Sequence, residues 1–378
     1  MIRLTKPSID EADIESVQDV LESGFLVQGK FVSKFEENVS KYVGTNYAIA
    51  VSNCTAALHL SLLSVGIKSG DSVVLPAYSF PATANAVEII GARPIFIDIE
   101  PETYNIDPDH LDEVLEKFSK GTLPSKIKAI IPVHAFGQMA DMHEISRIAE
   151  LHNLPIIEDA ACALGAKQND KPAGKWGILG CFSFHPRKAI TTGEGGIVAT
   201  DNPKIADYIR AMRNHGLDPK AEYSDFILPG FNYRMTDFQG ALGLSQFKKL
   251  DRIITARRKL AFQYSEAFRN TPIEPAQIKH NNFHIFQSYV VQIPPEIENY
   301  RDNLIDDLRK NGIETTIGTW HIPMTSFYKN KYGYGLNDFP VTDSIFRRSL
   351  SLPLFESLTN ENQNYVIEQL LLSVEKIL

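Results

Sequence analysis

Short continuous apolar runs alternate along the chain with longer stretches of helical periodicity. Seven runs read as strands: "YAIAVS" (47–52), "SVVLP" (72–76), "PIFIDI" (94–99), "KAIIPVHA" (128–135), "LPIIEDA" (154–160), "CFSFH" (181–185) and "GGIVAT" (195–200). Most are apolar at successive positions, the pattern of strands covered on both faces. Between the earlier runs lie "TAALHLSLLSVG", "PATANAVEIIG", "DPDHLDEVLEKF" and "MHEISRIAELH", with apolar residues at helical spacing. The alternation predicts an α/β fold with a mainly parallel seven-stranded sheet between helices, joined by right-handed crossovers.

Two amphipathic helices precede the first strand. "SIDEADIESVQDVLES" offers Ser8 and Glu11 as a capping box, and "KFVSKFEENVSKYV" supplies the second helix. From about 203 to 270 the pattern is helical, and "DFQGALGLSQFKKLDRIITARRKLAFQYSEAF" predicts one long helix. Beyond it the character changes. "FHIFQSYVVQI" alternates like a half-exposed antiparallel strand, "RDNLIDDLRKNG" is a helix ending at Gly312, "IETTI" is a strand, and "ENQNYVIEQLLLSVEKI" is a terminal helix. A large domain over 1–250 and a smaller α+β domain over 251–378 are expected, with the boundary inside the long helix.

Composition removes several function classes. A chain of 378 residues with 43% hydrophobic content can bury a large core. Its net charge of −8, with no dense basic run, makes nucleic acid and anionic membrane poor partners. No window approaches the ~18 consecutive apolar residues of a membrane span, and "MIRLTKPSID" lacks an apolar leader, so a cytoplasmic location is expected. Cys54, Cys162 and Cys181 are an odd, widely spaced set without a CxxC, which suits a reducing compartment. His143-Glu144 lacks the second histidine one turn on. There is no GxxxxGK[ST] loop and no GxGxxG after a strand. A metal site, a P-loop and a dinucleotide fold are therefore not expected.

In an open parallel sheet, ligands bind beyond the carboxyl ends of the strands. After "YAIAVS", Asn53, Cys54 and Thr55 open a helix whose free N–H groups suit a phosphate. Asp159 ends another buried strand. Lys188 lies in "FSFHPRKAITTGEGG" between Ser183 and a turn with Thr191, Thr192 and Glu194. A phosphate cradle, a carboxylate and a lysine at three strand ends match the phosphate, ring nitrogen and aldehyde of pyridoxal phosphate. Plainer alternatives stand beside these. Lys188 could be a solvated turn residue, Asp159 a cap before "AACALGA", Ser183 a hydroxyl bonded to backbone, Thr55 an N-cap and Phe80 a core aromatic. Asn232 and Arg234 could cap the helix that follows "FNYRMTD", and His321 could be a packed loop histidine.

The segments "SNCTAALHLSLL", "PAYSFPATANAV", "PIFIDIEPETYNID", "IIPVHAFGQMADM", "IIEDAACALGA", "FSFHPRKAITTGEGG" and "FNYRMTDFQGALG" together resemble the DegT/DnrJ/StrS family of pyridoxal-phosphate-dependent, fold-type I nucleotide-sugar aminotransferases. The resemblance spans essentially the whole chain. It implies that Lys188 binds the cofactor covalently and then moves a proton, and that Asp159 partners the ring nitrogen. It also implies that Cys54, Thr55 and Ser183 hold the phosphate, that Phe80 stacks on the ring and that Cys162 lies beside it. The matching Asn232 reaches the partner subunit's phosphate, which implies a homodimer with shared active sites. Phe25, Gln28, His185, Glu194 and His321 are the implied substrate contacts. L-Glutamate is the implied amino donor, and a nucleotide-linked ketosugar of polysaccharide biosynthesis, such as O-antigen assembly, the implied acceptor. Two positions depart from the family pattern: Cys54-Thr55 stands where Gly-Thr is commonest, and Cys162 where Gln or His is frequent. A sugar dehydratase of the same fold carries histidine at the place of Lys188, and a non-catalytic regulator would lack Lys188 or Asp159. An enzyme of this fold acting on amino acids alone remains a third alternative.

Overall fold

The computed structural model describes residues 1–121, 126–218, 220 and 222–378. The seven apolar runs form β1 (Tyr47–Val51), β2 (Asp71–Pro76), β4 (Arg93–Ile97), β5 (Lys126–Ile130), β6 (Ile157–Asp159), β9 (Leu179–Ser183) and β10 (Gly196–Thr200). Bridges from Ile130 to Ile156 and from Val133 to Asp159 join two ladders into one layer, β4-β2-β5-β6-β9-β10-β1. Neighbours run parallel except at β10, which is antiparallel to both β9 and β1. Alternate residues of β1 enter different cores. Ile49 and Val51 join the side of α3 (Cys54–Ser64) and α4 (Ala82–Ile89), while Ala48 and Ala50 join that of α2 (Lys30–Val43), α5 (Pro108–Ser119) and α6 (Met142–Leu151). Burial on both faces is why these strands read as unbroken apolar runs.

Helix ends differ from expectation. α1 (Glu11–Ser23) is capped by a reciprocal box between Asp10 and Asp13, not by Ser8 and Glu11. Because the helix begins at Glu11, residue 10 must cap its free N–H groups; Ser8 Oγ instead donates to Glu356 at 2.7 Å. The long helix expected over 237–268 breaks at Lys248 and Lys249 into α8 (Asp237–Phe247) and α9 (Leu250–Phe268). α8 lies against α1 and α2, whereas α9 meets α13 (Asn360–Glu375) and β11 (Glu274–Pro275), and no straight rod could do both. Lys249 fastens the break, its Nζ 2.5 Å from Asp13 and 2.9 Å from Asp10.

The second sheet has the order β11-β13-β16-β14, with β13 (Tyr289–Gln292), β14 (Thr316–Ile317) and β16 (Ser349–Leu352). All four residues of β13 are buried, so it is not the half-exposed strand that its alternation predicted. Tyr289 and Val291 face the core of α9, α10 (Arg301–Lys310) and α13, and Val290 faces a cluster with Tyr78 and Tyr104. A small hairpin, β7 (Lys167–Gln168) and β8 (Lys171–Pro172), takes β12 (Asn282–Phe283) as a third strand. α7 (Pro203–Met212) covers β1 and β10. The chain's start returns to this region, where Ile2 bridges Ile313.

Three long-range contacts clasp distant parts of the chain around the strand ends. β3 (Tyr78–Ser79), just after β2, pairs with β15 (Trp320–His321), which leads to α11 (Ser326–Tyr332). Asp98, after β4, caps α12 (Pro340–Arg348) by accepting from the N–H groups of Val341 and Thr342 at 3.0 and 2.8 Å. Asp237, at the start of α8, caps α2 by accepting from Phe31 and Val32 at 3.1 and 2.9 Å. Gly29 is needed there because a Cβ would stand 2.3 Å from Asp237 Oδ2. Asp237→Ala should therefore cost about 1–2 kcal/mol, the worth of a strong N-cap. A lowered urea midpoint, with faster proteolysis between residues 24 and 30, would measure it.

Candidate active site

The turn after β1 is built for an anion. Asn53, in extended backbone, is the N-cap of α3 and its Oδ1 accepts from the Ala56 N–H at 2.9 Å. The cap is therefore Asn53 and not Thr55, which leaves the N–H groups of Cys54 and Thr55 directed beyond the strand end. Burial, with Asp159 and Cys181 nearby, pushes the Cys54 thiol well up, so it stays neutral and does not repel an anion. Gly196 of β10 lies beneath the turn, where a Cβ would come within 2.5 Å of the Asn53 carbonyl.

β6 ends in two carboxylates whose side chains leave on opposite faces. Asp159 is buried, with Oδ2 accepting from Thr83 Oγ1 at 2.7 Å and Oδ1 from the Ala161 N–H at 3.2 Å. The second bond resembles the expected cap, yet no helix follows. Glu158 is fully buried. It accepts from Gly174, Trp176 and Gly177 N–H groups at 2.8, 2.7 and 2.7 Å, and lies 2.9 Å from His134 Nε2. His134 Nδ1 accepts from the Ala140 N–H at 3.2 Å, so Nε2 carries the proton and donates to Glu158. The His134 N–H also donates to the Asp159 carbonyl at 3.1 Å. Thr83, Glu158 and His134 were not anticipated from sequence. The one available signal was the adjacent carboxylate pair in "IIEDA", which strand alternation must send to opposite faces.

Lys188 sits in the connection from β9 to β10. Its N–H donates to the His185 carbonyl at 2.8 Å, and Thr191 Oγ1 donates to the Phe184 carbonyl at 2.9 Å. Buried Arg257 of α9 donates to the Gln287 carbonyl at 2.7 Å and to the Lys188 carbonyl at 3.5 Å, and Gln287 donates to the Arg187 carbonyl. Burial lowers the Arg257 guanidinium to about 10, against Glu356 and Cys162. Lys188 Nζ donates to Cys162 Sγ at 3.0 Å. Burial works against the Lys188 ammonium, but Cys162, Cys54 and Asp159 together outweigh it and move the amine above its ordinary range. Four residues from three chain segments thus act on one another: Cys54, Asp159 with Cys162, and Lys188.

The remaining predicted residues are distributed around this centre. Ser183 Oγ accepts from the His185 N–H at 3.4 Å. Burial lowers the His185 imidazole, opposed by Glu194, whose side chain is exposed. Phe80 is not a core aromatic: it is 65% exposed immediately after β3. Neither Asn232 nor Arg234 caps α8, whose cap is Thr236 with Gln239. Asn232 is exposed and accepts from Arg234 Nε at 3.1 Å. Its segment runs beside the end of β1, where the Ser52 N–H donates to the Tyr233 carbonyl at 2.8 Å. Phe25 is exposed, and Gln28 has φ 44° with its amide oxygen turned to Arg213 Nε at 2.9 Å. His321 is buried, 3.1 Å from Asp343 and between Phe339 and Phe346. Burial lowers its imidazole against the pull of Asp343.

A sequence profile of the DegT/DnrJ/EryC1/StrS aminotransferase family matches residues 7–371. The spore coat polysaccharide biosynthesis protein SpsC of Bacillus subtilis (strain 168) is 35% identical over 374 residues, covering 96% of this chain and 94% of that protein. GDP-perosamine synthase of Caulobacter vibrioides is 33% identical over 372 residues, covering 98% and 97%. Among solved structures, the putative sugar aminotransferase Spr1654 of Streptococcus pneumoniae in its PMP form superposes with a TM-score of 0.93 at 26% identity, over 100% of both chains.

Glu158 makes a direct test of the site's floor. Glu158→Gln would point an amide NH2 at donors that now meet an acceptor, leaving buried N–H groups unpaired. It should lower the unfolding free energy by about 3 kcal/mol or more, read from chemical denaturation midpoints.

Proposed function

Because the chain belongs to the DegT/DnrJ/EryC1/StrS aminotransferase family and is a pyridoxal-phosphate-dependent sugar aminotransferase, we propose that it transfers the amino group of L-glutamate to a keto group of a nucleotide-linked deoxysugar. Lys188 and Asp159 are the catalytic residues of this reading. The observation that carries it is the convergence of the Lys188 amine, the Asp159 carboxylate and the start of α3 at the carboxyl ends of the strands.

The donor set fits the cofactor. The N–H groups of Cys54 and Thr55, with Ser183, would hold the phosphate, Asp159 the ring nitrogen and Lys188 the aldehyde carbon, while Cys162 and Phe80 would flank the ring. When bound, pyridoxal phosphate supplies a carbon that takes up the amino nitrogen and a ring that accepts the electron pair left on the donor carbon. Asp159 keeps a proton on the ring nitrogen and thereby favours that charge. Its lone pairs not engaged by Thr83 and Ala161 are available for this purpose. The Lys188 amine would move a proton between the donor's α-carbon and the cofactor's C4′. Cys162 Sγ, 3.0 Å from Nζ, gives the free amine a resting partner. Phe25, Gln28, His185 and Glu194 are the proposed substrate contacts, residues 1–250 the proposed cofactor-binding domain, and 251–378 the proposed smaller α+β domain.

The reading also takes the protein to be a homodimer with shared active sites. Asn232 carries an exposed side chain that does not cap α8, bonded only to neighbouring Arg234 among the described residues, in the segment that runs beside the end of β1. The exposed apolar residues Tyr223, Phe226 and Ile227 precede it in the same segment, as an interface requires.

Lys188→Ala should leave a folded protein that neither loses visible cofactor absorbance on addition of L-glutamate nor aminates any member of a panel of nucleotide ketosugars followed by mass spectrometry. Full activity in that variant would remove the central claim. Sharing of the site is tested by refolding Lys188→Ala together with Asn232→Ala. If Asn232 acts across the dimer, one site of each hybrid is intact and activity returns; if it acts within its own chain, every hybrid site carries one defect and nothing returns.

A further inference from the structure

β15 contributes two side chains, and strand alternation sends them to opposite faces. His321 lies opposite Tyr78 of β3, and Trp320 opposite Ser79. His321 and Tyr78 are both buried, with His321 held by Asp343, so this face of the ribbon is closed. Trp320 shares its face with Ser79, as directly opposed residues do. Ser79 Oγ is 3.3 Å from Thr83 Oγ1, which donates to Asp159 Oδ2 at 2.7 Å. The indole therefore stands on the side of the ribbon that leads, through two hydrogen bonds, to the carboxylate of the active site.

Trp320 is 44% exposed, and its indole makes no hydrogen bond, ring contact or cation contact among the described residues. The chain's other tryptophan, Trp176, differs on each count. Its Nε1 donates to the Lys171 carbonyl at 3.4 Å, and Lys171 Nζ lies 4.3 Å from the ring centroid. Phe80, the residue after Ser79, is also bare. An uncovered indole offers a flat surface that binds by stacking, without a hydrogen-bond code.

We propose that Trp320, rather than its neighbour His321, is the aromatic wall on which the nucleotide-linked sugar stacks, and that it determines affinity for that substrate. The proposal rests on the reading of the chain as acting on nucleotide-linked sugars. Nucleobases and the C–H faces of hexoses both present the flat apolar surface an indole accepts.

The test uses the holoenzyme with UDP, GDP and dTDP, and with UDP-N-acetylglucosamine, GDP-mannose and dTDP-glucose. In Trp176→Phe, where Trp320 is the sole tryptophan, at least one compound should change the emission saturably. A response to the free nucleotide assigns the contact to the base, and a response to the hexose conjugate alone assigns it to the sugar; either supports the proposal. By calorimetry, Trp320→Ala should bind the responsive compound about tenfold more weakly, and Trp320→Phe should recover most of the loss. Should Trp320→Ala fail to fold, the emission arm still decides. Absence of any response from Trp320, or unchanged affinity in a folded Trp320→Ala, overturns the inference. Loss of visible cofactor absorbance on adding L-glutamate reports the aminotransferase reading separately. A protein that passes that assay while Trp320 stays silent sinks only the stacking wall.

Discussion

A carboxylate with no exposed surface, Glu158, organises the floor on which the site is built. Burying such a group is costly unless its lone pairs are filled. Glu158 fills them with three backbone N–H groups from residues 174–177 and with the proton of His134. Those donors come from the approach to β9 and from the segment after β5, so one side chain ties the ends of three neighbouring strands. Asp159 is the next residue on β6. Its direction into the site follows from Glu158 being held on the other face.

The second requirement is that distant parts of the chain meet at these strand ends. Arg257 and Gln287 hold the backbone at Lys188 from outside the central sheet. Asp98 caps α12, Asp237 caps α2, and β3 pairs with β15. Each contact satisfies backbone groups that their own segments leave unpaired, so the clasp and the local structure depend on each other. The turn that carries Lys188 is thereby held against α9 and the segment before β13, and the segments after β2 and β4 against the C-terminal part of the chain.

Electrostatics within that centre follow a consistent division. Cys54 remains a neutral thiol where an anion is to sit, and the amine of Lys188 is favoured in its charged form by Cys162 and Asp159 against burial. A charged lysine attracts an incoming carboxylate or phosphate but cannot attack or accept a proton.

The sequence alone determined the seven sheet strands, the parallel character of the layer and the strand-end residues Asp159 and Lys188, because apolar runs and period are local signals that burial on both faces imposes directly. Partners distant in sequence were decided only by the tertiary structure. The first helix took Asp10 and Asp13 as its cap in place of Ser8 and Glu11, and the predicted long helix broke at Lys249, where Asp10 and Asp13 lie within reach. Strand β13 was buried on both faces despite its alternating pattern, because the second face meets Tyr78 and Tyr104. Glu158, His134 and Thr83 became parts of the site only through bonds across the sheet. At Trp320 and His321 the sequence offers two adjacent aromatic rings, and the pairing register with β3 decides which one is buried and which one stays exposed. Register and capping are relations between segments, and one segment's composition cannot carry them.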